Sequence, residues 1–85
     1  MRHRANDTFW DAYEALPKTV RNLADKNFKL LKSNAKHPSL SFKRVGPYWS
    51  ARVGRRHRAL AVERGDGFVW FWIGTHAEYD KLLGN

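Results

Sequence analysis

Cysteine is absent from the 85 residues, which removes disulfides and thiolate metal sites. Acid is scarce: eight Asp and Glu stand against sixteen Lys and Arg, for a formal net charge of +8 and a pI near 10.3. No apolar run approaches the ~20 residues of a membrane span. The opening MRHRANDTFWDAY also lacks the continuous apolar core of a signal peptide. A soluble, cytoplasmic chain with no membrane partner is therefore expected. No repeat, linker or low-complexity tract interrupts it. The four histidines are dispersed and no Gly-rich nucleotide loop follows a strand, so neither a metal nor another cofactor is expected.

The shortage of acid is uneven. From Leu40 to Val62 there are six Lys or Arg residues and one His, with no Asp or Glu. A field of one sign concentrated on one part of a fold points to a polyanionic partner, with nucleic acid ahead of an acidic protein.

What is present suits a folded protein: 42% hydrophobic residues and twelve aromatics in a length that fits one domain, residues 1–85. Thr8 reads as the cap of a first helix carrying Phe9, Trp10, Tyr13 and Leu16 at helical spacing. Pro17 ends that helix and opens a second, whose apolar face runs from Val20 to about Ser33. After Pro38 the period becomes two. Residues 40–45, 48–53, 57–64 and 68–73 read as antiparallel strands, separated by Gly46-Pro47, Gly54 and Gly65-Asp66-Gly67. Thr75-His-Ala-Glu78 is a capping box that opens a terminal helix. Residues 2–5 are a candidate short strand. The expected class is α+β: a helical hairpin packed on an antiparallel sheet of about four strands, closed by a short helix.

The hairpin YWSARVGRRHRALAVE concentrates the candidate chemistry. A loop of Gly54, Arg55 and Arg56 places Arg52 directly opposite Arg58, and guanidinium forks bind phosphate bidentately without losing charge. Lys43, Arg44, Arg55, Arg56 and His57 extend the positive surface. In the same register, with a turn at Asp66-Gly67, Trp49, Ala61 and Trp72 form a large–small–large row. His76 stands where the last strand gives way to the helix, and imidazole moves protons near neutrality. Tyr79 either shares its helical face or packs with Leu82 and Leu83. His3 and His37 read as solvent-exposed.

The run from Tyr48 to Leu83, with its pattern W-S-x-R-V-G-x-x-x-R-A-L, an acidic-Gly turn and a closing strand, resembles the RelE/ParE superfamily of bacterial toxins. LPKTVRNLADKNFKLLKSN resembles their helical hairpin, and the likeness spans Phe9 to Leu83. The resemblance implies the toxin of a toxin–antitoxin system. One branch consists of metal-independent, ribosome-dependent mRNA endoribonucleases, in which Arg58 matches a strand arginine and His76 a late histidine of some members. Arg52, Lys43 and Arg44 match a general basic surface. The other branch inhibits DNA gyrase without that constellation, and an inactive toxin-fold binding module is a third expectation. A carboxylate that some ribonuclease members carry before the hairpin is missing here. The resemblance also implies a cognate antitoxin, with an acidic or amphipathic segment laid over the basic surface.

Overall fold

The computed structural model describes residues 2–84. Strand β1 (Arg2–Ala5) precedes helix α1 (Asp7–Glu14) and helix α2 (Lys18–Ser33). Four strands follow, β2 (Lys43–Val45), β3 (Tyr48–Val53), β4 (His57–Arg64) and β5 (Gly67–Thr75), and then α3 (His76–Leu82). The five-stranded sheet has the order β1-β5-β4-β3-β2. β1 runs parallel to β5 and the remaining pairs are antiparallel. No helix among the described residues is long and apolar enough to cross a membrane.

Two local expectations are corrected at the N-terminal side. The cap of α1 is Asn6 rather than Thr8: its Oδ1 accepts the Phe9 N–H at 3.0 Å. The one hydroxyl proton of Thr8 is instead shared between that same oxygen, 2.7 Å away, and the Phe71 carbonyl, 3.0 Å away. Residues 38–40 form a turn of 3-10 helix and Ser41 takes φ 44°, so extended structure begins only at Lys43. The turn buries Leu40 to 1% exposure, which outweighs its alternation with Phe42.

Alternation divides the sheet into two faces. Ala51, Val53, Ala59, Ala61, Phe68, Trp70 and Ile73 form the core with Ala24 and Leu31 of α2. Trp70 and Ile73 are three apart and would normally face opposite ways. A bulge resolves this: Leu60 pairs with Trp72 but Ala61 with Trp70, leaving Phe71 as the extra residue. The Trp49–Ala61 row is therefore completed by Trp70, not Trp72. The β4–β5 turn is Gly65-Asp66, with Arg64 paired to Gly67 and Gly65 at φ +59°. Trp72 lies on the other face, across Gly74, where a Cβ would collide with its ring.

α1 packs on β5 and α2 on β3, while α3 contacts β4 and β5. Tyr13 donates to Asp25 at 2.8 Å, tying α1 to α2, and this bond pushes the Tyr13 phenol above its usual pKa. Between the helices an apolar groove of about 260 Å³ stays open above Trp70 and Ile73. His3 is not exposed. It stacks on Phe68 at 5.2 Å and accepts the Trp70 indole N–H at Nδ1, 3.1 Å away. His37 is half-buried and uses Nδ1 to accept the Ser39 N–H.

Candidate functional site

The β3–β4 hairpin turns through Gly54-Arg55-Arg56, with Gly54 at φ +66°. Any Cβ at Gly54 would also lie 2.7 Å from Leu23 Cδ2. Val53 then pairs with His57 and Arg52 with Arg58. Because Val53 belongs to the core face, Arg52 and Arg58 project from the opposite face. Ser50, two residues before Arg52, shares that face and is 3% exposed. Lys43 pairs with Ser50 from β2 and lies on the same side.

α3 supplies the opposite wall. Its capping box is complete: Thr75 Oγ1 accepts the Glu78 N–H at 3.1 Å, and Glu78 Oε1 accepts the Thr75 N–H at 2.9 Å. These bonds to Thr75 hold the Glu78 carboxyl below its usual pKa. The His76 N–H donates to the Arg56 carbonyl at 2.7 Å, fixing the helix start to the hairpin loop. His76 Nδ1 then lies 3.1 Å from Asp80 Oδ2, one helical turn on. Its ring sits 5.9 Å from that of the buried Tyr79.

Ser41, Lys43, Ser50, Arg52, Arg58, His76 and Tyr79 line one cavity of about 130 Å³. Among the described residues, no carboxylate lies within ion-pair distance of Lys43, Arg52 or Arg58. Burial, and then the charge of Arg52, lower the pKa of Arg58 from its ordinary value. Its Nη1 donates to the His57 carbonyl at 2.8 Å, which holds the guanidinium in place. A cation that has lost water and faces a second cation is poised to take up an anion.

Of the residues singled out from the sequence, the fold brings together Lys43, Arg52, Arg58, His76 and Tyr79. Arg44 pairs with Trp49 on the other face and donates to the Gly46 carbonyl. Arg55 and Arg56 are exposed at the loop tip. His57 neighbours Arg58 on the strand, so it points to the opposite face and away from the cavity. Ser41, Ser50 and Asp80 were missed. The i, i+4 spacing of His76 and Asp80 carried the signal for Asp80, and alternation with Arg52 carried it for Ser50. Nothing in the local pattern marks Ser41, whose place depends on its positive φ.

The profile of the ParE-like toxin domain matches residues 18–81, which span α2, the four consecutive strands and α3 up to Lys81. The chain belongs to the ParE-like toxin family. Solved structures of similar fold include a YoeB/ParE toxin from Agrobacterium tumefaciens, 17% identical, covering 89% of this chain and 99% of that one with a TM-score of 0.66. The RelB–RelE antitoxin–toxin complex from Methanococcus jannaschii gives 17% identity, 92% and 95% coverage and a TM-score of 0.70. A copper-bound mutant toxin from Helicobacter pylori gives 13%, 92% and 97%, with a TM-score of 0.64. No curated protein matches the sequence. In this ParE-like chain a helical hairpin packs on a five-stranded sheet that is antiparallel except for β1, the RelE/ParE-like fold expected from the sequence.

Proposed function

We propose that this protein is the cytoplasmic toxin of a toxin–antitoxin pair and an mRNA endoribonuclease that works on the ribosome. One observation carries the reading: the paired Arg52 and Arg58 line a single cavity with His76, whose Nδ1 lies 3.1 Å from Asp80 Oδ2. The reaction is an internal phosphoryl transfer. The ribose 2′-oxygen bonds to the adjacent phosphorus and the bond from phosphorus to the 5′-oxygen breaks, leaving a 2′,3′-cyclic phosphate and a 5′-hydroxyl. Arg52 and Arg58 hold the non-bridging oxygens, with Lys43 on a neighbouring phosphate, and stabilise the charge that builds there. Asp80 accepts a hydrogen bond from the Nδ1–H of His76 and orients the ring, so that Nε2 gives its proton to the leaving 5′-oxygen while Nδ1 keeps its own. The 2′-proton passes to water. His57, on the other face, takes no part. An antitoxin is the partner, as in the RelB–RelE antitoxin–toxin complex, and the +8 charge of the chain favours an acidic segment on it.

Primer extension on an mRNA in a defined translation reaction tests this. New 5′ ends inside translated codons are expected with the wild type and absent with Arg58→Ala, whose circular dichroism stays native. The ParE-like family favours a second reading, non-catalytic inhibition of DNA gyrase. An intact message together with inhibition in a supercoiling assay would replace the first reading by the second.

A further inference from the structure

Among the described residues, α3 covers the face of the sheet opposite α1 and α2 mainly over the ends of β4 and β5 that meet it. Beyond it lie two aromatic rings outside the hydrophobic core, those of Tyr48 and Phe71, with centroids 5.3 Å apart and planes tilted by 55°. Both are half-exposed. The bulge puts Phe71 there, and a hydrogen bond from Thr8 to its carbonyl holds the bulge in place. Tyr48, Ser50 and Arg52 alternate along β3, so Tyr48 lies about 13 Å along the strand from Arg52.

Cations flank this pair on both sides. Towards the Gly54 loop and α3 are Lys43, Arg52 and Arg58. At the far end of β4 and β5, Arg2, Arg4 and Arg64 share the face of Tyr48 and edge a second cavity of about 470 Å³, which passes the β1 edge to His3, Phe68 and Lys32 on the helix side and holds Asp66 as its one carboxylate. Arg58 and Arg64 are six residues apart on β4, about 20 Å. Positive charge at both ends with unburied aromatics between them is the arrangement that holds single-stranded nucleic acid, with phosphates on the cations and unpaired bases on the rings.

We infer that Tyr48 and Phe71 form a stacking platform for an unpaired RNA base, next to the phosphate held by Arg52 and Arg58. The inference rests on the RNA reading of the site and extends it from one phosphate to a path across the sheet. A duplex cannot use the platform, because its bases are already stacked.

The test is fluorescence anisotropy with a labelled, uncleavable 2′-O-methyl octamer of uridine and a matched octamer carrying abasic residues. Wild-type protein is expected to bind the base-bearing octamer about tenfold more tightly. The Tyr48→Leu/Phe71→Leu variant loses that preference and keeps its salt dependence, while Tyr48→Phe retains the preference. Equal binding of the two octamers, no binding at low salt, or a preference that survives in the double-leucine variant would overturn the platform. Preferential capture of an acidic peptide by the same rings would overturn it too, in favour of a protein partner. Because the octamer is uncleavable, base preference without mRNA cleavage keeps the platform and removes the ribonuclease reading. Cleavage without base preference does the reverse.

Discussion

At the scale of single residues, the chain places charged and titratable groups where their neighbours do not favour the charge. His3 is the clearest case. Its Nδ1 accepts the Trp70 indole proton, so that nitrogen carries no proton in the folded chain. Burial, then the N-terminal charge, then Lys32, lower its pKa below 6.5. The folded state therefore binds the proton less tightly than the unfolded state does, and His3 contributes stability above pH 6.5 that is lost as pH falls through its folded-state value. Urea unfolding at pH 7.5 and pH 5 is expected to show this loss, and His3→Phe to show a smaller one. An equal loss in both proteins would show that other groups carry the acid sensitivity. Sequence reading put His3 in solvent because the segment that carries it reads as flexible. Its burial depends on β1 lying parallel to β5, and no turn signal announces a pairing between positions 3 and 68. Arg52 and Arg58 were legible for the converse reason, since a short loop fixes their register locally.

At the scale of elements, a short helix and one extra strand residue decide where the site's side chains stand. Seven residues are too few for α3 to be stable alone, so its cap and its docking hold His76 and Asp80 in place. Thr75→Ala is expected to cost about 1 kcal/mol in chemical denaturation. It should also lower cleavage by more than that loss of folded protein explains, because an uncapped first turn holds His76 less firmly against the Arg56 carbonyl. Thr75→Ser keeps the hydroxyl and should restore both quantities. Cleavage that is unchanged in Thr75→Ala would separate the cap from the chemistry. The cap was readable from Thr75 and Glu78 alone. The bulge at Phe71 was not, because FVWFWI offers apolar residues to both faces and alternation cannot choose between registers. That ambiguity moved Trp72 off the predicted row, and the same bulge brings Phe71 beside Tyr48.

At the scale of the whole molecule, charge and chemistry are separable, since the cations that would bind RNA outnumber the groups that would move protons. Each phosphate neutralised on a single strand contributes about −0.7 to the slope of log K against log salt. Contacts through Lys43, Arg52 and Arg58 alone give a slope of about −2. Engagement of Arg2, Arg4 and Arg64 at the far end of the sheet doubles it. Anisotropy titrations of the uncleavable octamer between 50 and 200 mM salt, about a fourfold range within which such slopes are linear, should give the steeper value. Arg58→Gln should reduce it by about 0.7. His76→Ala should leave the slope unchanged while abolishing cleavage of translated mRNA, because an imidazole that only moves protons adds no counterion release. A slope that falls with His76→Ala would make His76 a phosphate ligand, and the proton for the 5′-oxygen would then have to come from elsewhere in the cavity.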